Sequence, residues 1–282
     1  MFWEGRRESD NVDDRRGITG GGVAAGGGLI GVIVFVVRFL LGGANTADLQ
    51  QMLPGGQPQQ QMTQQQKQVD DQRSHFVRVV LADTEDVWDK IFGDMGKSYT
   101  HPTLVLFRNS TQSGCGTASE QSGPFYCPSD EKVYIDLDFA DELSQRFGAS
   151  GDFAMAYVVA HEVGHHVQDL LGVTAKMQAL QQRLSQTEYN KYSVKLELQA
   201  DFYAGIWAHY DQQMKNVIEK KDIDQALNAA SAVGDDRLQK ETQGHVTPDA
   251  FTHGTSAQRM YWFKKGYETG DIKQGDTFAS EQ

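Results

Sequence analysis

Beyond its first 16 residues the 282-residue sequence carries no block of lysine or arginine, and its formal net charge is −12. Recognition of nucleic acid through phosphates needs a basic footprint, so no nucleic-acid partner is expected. Cysteine is scarce as well. Cys115 and Cys127 are the only two, they do not form a C-x-x-C, and no second pair exists to complete a thiolate zinc site. Long apolar runs are absent except for one, which leaves room for a single membrane span and no more. No internal repeat is present. The remaining composition is ordinary: hydrophobic residues at 39% and charged residues at 23% suffice for a buried core in one large domain or two small ones.

The one apolar run lies between Gly17 and Gly43, where Arg38 is the only charge. Val23 to Leu41 as a helix spans about 28 Å, close to a bilayer core, with Arg38 near one end and able to snorkel to the interface. Arg6, Arg7, Arg15 and Arg16 precede the run, and after Arg38 no basic residue occurs until Lys67. The positive-inside rule therefore places residues 1–16 in the cytoplasm and the chain after Gly43 outside it. A cleaved signal peptide competes, with Gly42-Gly43-Ala44 as the cleavage site, but the run is long for that role. The expectation is a single-pass inner-membrane anchor over residues 17–43, then a Gln-rich linker over 44–68, then an extracytoplasmic domain over 69–282. That location suits a disulfide between Cys115 and Cys127, worth roughly 3 kcal/mol on the chain-entropy model, in preference to two unrelated buried thiols.

Within the domain, Phe76–Phe92 has helical periodicity, with Phe76, Val80, Val87 and Ile91 on one face. Thr103–Phe107 reads as a strand, and Lys132–Phe139 alternates as a half-buried strand does. Helices follow over Phe153–Leu171, Ala175–Gln186, Val194–Met214 and Asp224–Val233, the last with Asp222 and Gln225 placed as in a capping box. A final helix starts near Ser256 and ends by Gly266 or Gly270. A small sheet followed by mainly helices makes the fold class α+β.

The residues that carry chemistry begin at Ala160-His161-Glu162-Val163-Gly164-His165-His166. Four residues apart on a helix, His161 and His165 share a face and can converge on one metal, and neutral imidazoles suit zinc. Glu162, one step round the helix, can serve as general base toward a water molecule there. A catalytic zinc needs a third protein ligand and an open position. Glu197 and Asp201 lie four apart among Leu196, Leu198, Phe202 and Tyr203, surroundings too apolar for a solvated acidic face. One carboxylate on the metal and the other accepting an N–H from a ligand histidine would satisfy both.

His161-Glu162-x-x-His165 with Glu197-x-x-x-Asp201 resembles the pattern of gluzincin metallopeptidases. More narrowly, residues from about Val69 to Gly270 resemble the bacterial neutral zinc metallopeptidases, including Gly123-Pro124-Phe125-Tyr126-Cys127-Pro128 and the stretch from His253 to Arg259. The resemblance implies a zincin-like fold, an N-terminal anchor, Glu197 as third zinc ligand and Asp201 as the partner of His161. The separation of His165 from Glu197 is longer than in the best-known gluzincins. In gluzincins a strand beside the metal helix pairs with the substrate backbone, a role for which Val133–Phe139 offers an edge. The donor to the developing oxyanion is assigned to His253, in a polar turn at a helix start, with His245 and Tyr203 as rivals. His166 and His209 read as structural or surface residues. The function expected is hydrolysis of peptide bonds in a peptide or protein by a metalloendopeptidase with one zinc per chain. The alternative is a membrane-tethered interaction or assembly factor that keeps zinc for stability. An intramembrane protease is disfavoured by the polar neighbours of His161 and their distance from the apolar run.

Overall fold

The structure, a computed structural model, describes residues 1–17, 63–119 and 122–279. Apart from their end residues, the expected anchor over 17–43 and linker over 44–68 lie outside the described residues. Among the described residues no helix is long and apolar enough to cross a membrane.

Helix α1 (Gln64–Asp94) starts well before the expected Phe76. Thr63 caps it, its side chain accepting from the Gln66 N–H while Gln66 Oε1 accepts from the Thr63 N–H. The first turns are rich in glutamine and exposed, so they favour a helix without leaving an apolar period to read. From Phe76 onward the inward face carries Val80, Trp88 and Phe92 into the core.

Four strands form one sheet: β1 (Val12–Asp14), β2 (Thr103–Phe107), β5 (Phe125–Cys127) and β6 (Lys132–Asp136), in the order β1-β2-β6-β5. The β1–β2 and β2–β6 pairs are parallel, whereas β5 runs antiparallel to β6. Between β2 and β5 in sequence, β3 (Ser110–Ser113) and β4 (Gly116–Ser119) make a separate antiparallel hairpin. Alternation sends Leu104, Leu106, Val133 and Ile135 into the main core, while Val105, Phe107 and Tyr134 join Ala118 and Cys127 in a smaller one. Strand β6 is shorter than expected. The Asp136 carboxylate accepts from the N–H groups of Asn109 and Asp138, and the chain turns into α2 (Phe139–Gln145). Nor is β6 an edge: it is flanked by β2 and β5, so the edge expected at Val133–Phe139 belongs to β5.

The domain boundaries also need correction. Residues 1–16 are not a segment set apart from the domain. Strand β1 pairs with β2 at Val12↔Leu104, Asp13↔Val105 and Asp14↔Leu106, and the Phe2 N–H donates to Val217 O at 2.8 Å. The four arginines read as a cytoplasmic flank are committed to carboxylates: Arg6 to Asp83, Arg7 to Glu85 and Asp86, Arg15 to Asp13, and Arg16 to Asp14 and Asp70. Strands pair only within one compartment, so residues 1–16 in the cytoplasm with the domain outside is incompatible with this sheet.

The helical half comprises α3 (Asp152–Leu170), α4 (Val173–Gln181), α5 (Gln186–Lys215), α6 (Lys220–Ala232), α7 (Asp235–Gln243) and α8 (Ser256–Thr269), followed by a 3-10 turn over Ile272–Gly275. Helix α5 begins at a capping box of Ser185 and Glu188, eight residues before the expected Val194. Helix α6 is capped by Glu219 with Asp222, and Gln225 instead turns outward, its Oε1 accepting from the Phe153 N–H at the start of α3. Helix α8 carries the capping box of Thr255 and Gln258 and ends at Gly270 with φ 59°. It lies directly on α5. A Cβ on Gly205 would stand 2.1 Å from Phe263 O, and one on Gly266 2.1 Å from Phe202 O, so this crossing requires glycine on both helices. The outcome is a mainly helical α+β domain with a small sheet, built from residues 1–17, 63–119 and 122–279.

Candidate active site

Helix α3 enters the core through Tyr157, Val158, Val159 and Ala160, which leaves His161 and Glu162 buried at the helix centre. Opposite stands α5. A Cβ on Gly164 would meet Ala200 O at 3.0 Å and Ala200 Cα at 3.2 Å, so the glycine between the two histidines lets α5 come close. Glu197 is thereby brought between them. Its Oε2 lies 3.2 Å from His161 Nε2 and its Oε1 3.4 Å from His165 Nε2. His161, His165 and Glu197 each offer one atom within 4.8 Å of the others, and they are the one cluster of three or more such donors among the described residues.

The other nitrogens of the two histidines are engaged. His161 Nδ1 is 2.9 Å from Asp201 Oδ1, and His165 Nδ1 is 2.8 Å from Gln168 Oε1. Both rings therefore keep Nε2 for the centre of the cluster. Two imidazole nitrogens and one carboxylate make a donor set that suits zinc and leaves a coordination position open. Asp201 is fully buried, and burial pushes its carboxyl up; Arg259 and His161 outweigh this and hold it at about 2. Arg259 donates from Nε to Oδ2 at 2.8 Å and from Nη2 to Oδ1 at 2.9 Å, and Tyr157 OH donates to Oδ1 as well. Burial opposes protonation of His161, but Asp201 and Glu197 raise it to about 10.

These groups line a cavity of about 470 Å³. Val158, His161, Glu162 and His165 form one wall; Gly123, Pro124, Phe125 and Tyr126 of β5 and its approach form another. Glu162 is 8% exposed, and its carboxylate makes no hydrogen bond with any described residue. The disulfide between Cys115 and Cys127 ties the end of β5 to the β3–β4 turn.

His253 lines the same cavity, whereas its rivals do not: Tyr203 packs on Trp88 and Phe202, and His245 is exposed with Nδ1 on Gln243 O. Asp235 holds the His253 turn. Its Oδ2 accepts from the N–H groups of Thr252, His253 and Gly254, and its Oδ1 lies 3.2 Å from His253 Nδ1. The His253 side chain is half exposed; partial desolvation opposes both charges, but the pairing keeps the Asp235 carboxyl below its ordinary value and the His253 imidazole above its own. His166 and His209 serve the fold: His166 sits between Thr100 O and Tyr126 OH, and His209 Nδ1 donates to Tyr267 O.

A model of the family described as "Putative neutral zinc metallopeptidase" matches residues 1–278. The chain belongs to that family. Among its relatives, the Escherichia coli (strain K12) "Uncharacterized protein YpfJ" is 50% identical over 287 residues, covering 99% of each chain. The Mycobacterium tuberculosis (strain H37Rv) "Uncharacterized protein Rv2575" is 44% identical over 217 residues, 73% of this chain and 72% of its own. No solved structure matches. The family match takes in the N-terminal strand as well as the zinc motif, in agreement with a folded unit that includes both.

Several residues at the site were not assigned roles from sequence: Tyr157, Gln168, Asp235 and Arg259. Gln168 follows His165 by three positions on the same helix, a spacing that could have been read. Arg259 is 58 positions from Asp201, and only the α5–α8 contact pairs them.

Proposed function

We propose that this metallopeptidase is a zinc-dependent endopeptidase with a zincin-like centre, one zinc per chain, held by His161, His165 and Glu197. The observation that carries the reading is Glu162: a carboxylate without a hydrogen-bond partner among the described residues, on the cavity wall beside three converging metal donors. Bound zinc supplies a Lewis acid that polarises the scissile carbonyl and acidifies water. Glu162 accepts a proton from the attacking water and delivers it to the leaving amine. His253, oriented by Asp235, donates to the carbonyl oxygen as negative charge gathers there. Strand β5, at the sheet edge and on the cavity wall, offers its backbone to an extended peptide or protein segment. Asp201 and Arg259 hold His161 in the orientation its role demands.

The disulfide supports an oxidising, extracytoplasmic location for the folded unit, and the apolar stretch Val23–Leu41 supports association with the inner membrane. Glu162→Gln tests the catalytic reading. The variant is expected to keep its fold and one zinc while losing peptide cleavage by about 100-fold or more. Equal cleavage by both proteins would overturn Glu162 as the general base, and zinc binding with no cleavage of any peptide in a broad library by either would favour the assembly-factor alternative.

A further inference from the structure

Asp201 and Arg259 explain how His161 is held, but His165 has a different support. Gln168 is 1% exposed and its amide is fully engaged. Oε1 faces His165 Nδ1 at 2.8 Å, while Nε2 donates to Leu196 O at 2.7 Å and to Gln199 Oε1 at 3.1 Å. Gln199 in turn donates from Nε2 to Gly275 O at 2.8 Å. A backbone carbonyl can only accept, and this sets the direction of the whole chain of bonds. Gln199 must turn its Nε2 to Gly275, so its Oε1 faces Gln168. Gln168 must then present Nε2 to Gln199 and Oε1 to His165, so His165 carries its proton on Nδ1 and directs a lone pair from Nε2 at the cluster.

The carbonyl at the far end is itself seated without slack. A Cβ on Gly275 would lie 2.4 Å from the Phe202 ring, and the residues that follow are tied back to α5 through Thr277 Oγ1 to Lys195 O and Lys195 Nζ to Phe278 O. We infer that Gln168 and Gln199 are positioning residues for the second zinc ligand, a neutral amide relay running from the turn at Gly275 to His165. The two histidine ligands thus have unlike supports, one an anion with its arginine, the other two amides and a backbone carbonyl. The inference rests on zinc occupying the site.

The test measures zinc affinity of the full chain by chelator competition, for the wild type, Gln168→Met and Gln199→Met, with thermal melts of the zinc-stripped proteins alongside. Methionine approximates the volume of glutamine and removes its polarity. Gln168→Met is expected to weaken zinc by about 10- to 100-fold, the usual cost of losing such a partner, and Gln199→Met by a smaller factor although it touches neither ligand. Both variants should release zinc at a higher pH than the wild type on acidification. A wild-type measurement guards against variants that do not fold: in the zinc-loaded protein, histidine-selective nitrogen NMR should show His165 protonated at Nδ1 and metallated at Nε2. Wild-type affinity and wild-type release pH in both variants, or zinc on Nδ1 of His165, overturns the relay alone. Absence of zinc binding by the wild type overturns the relay and the proposed function together.

Discussion

Asp211 is a fully buried carboxylate on α5 that has no part in the zinc site. Neither of its oxygens has a hydrogen-bond partner among the described residues; Lys215 Nζ stands 3.6 Å away and Arg6 Nη2 4.0 Å. Burial raises its carboxyl, Asp83 alongside raises it further, and the two cations offset this only in part, leaving about 7. Asp201, by contrast, sits at about 2, because its own cation is bonded to both its oxygens. The two acids have opposite consequences for stability. Asp201 contributes stability above the unfolded carboxylate range, lost as pH falls toward 2. Asp211 in the folded chain binds a proton that the unfolded chain has already released, so between about pH 4 and pH 7 its contribution falls as pH rises. Asp211→Asn is therefore expected to raise the melting temperature at pH 8, on the order of 5 °C, with little change at pH 4. Melting curves across that range check it; an equal shift at both pH values would mean that titration of Asp211 is not the cause.

At the scale of elements, the α5–α8 crossing holds Arg259 against Asp201, and it depends on backbones that touch. Gly205→Ala would place a methyl 2.1 Å from Phe263 O, which nothing but separation of the helices relieves. Overpacking of this kind typically costs about 1–3 kcal/mol, well beyond the roughly 1 kcal/mol that alanine returns in helix propensity. A lowered melting temperature with weakened zinc binding is the expected result, and a more stable variant would refute the crossing. What could be read from sequence follows a physical division. The zinc motif and the start of the last helix near Ser256 are local and their spacing specifies them, whereas spacing left its end open between Gly266 and Gly270, which the structure places at Gly270. Residues 64–68 of α1 show no period because neither face is buried, and the capping box of Ser185 and Glu188 was legible but precedes the apolar run used to locate α5. Sheet order is not local at all: alternation showed β6 to be a strand but could not show that β5 covers its edge.

The whole molecule poses the question of sides. Residues 1–17 meet the body of the protein at several places: β1 on β2, the Trp3 ring against Phe76 at 5.4 Å, buried Ser9 on Glu85, and Arg16 on Asp70 at 2.8 Å. Arg6 reaches Asp83 at 2.6 Å, in a site completed by Lys215 of α5. Each arginine that would mark a cytoplasmic flank in an unfolded chain has a carboxylate partner in the folded one, so flanking charge alone is a poor guide to where this segment ends up. Contacts of this extent require the segment and the cavity to share a compartment. Single cysteines placed at two exposed positions, Glu4→Cys on the segment and Glu268→Cys on α8, test this with a membrane-impermeant maleimide on spheroplasts. Both should be labelled, or both protected until the membrane is opened, to the same extent. If Glu268→Cys reacts from outside while Glu4→Cys reacts only after lysis, the segment lies across the membrane from the domain. Strand β1 could not then sit beside β2, and the flank rule would stand in place of the sheet.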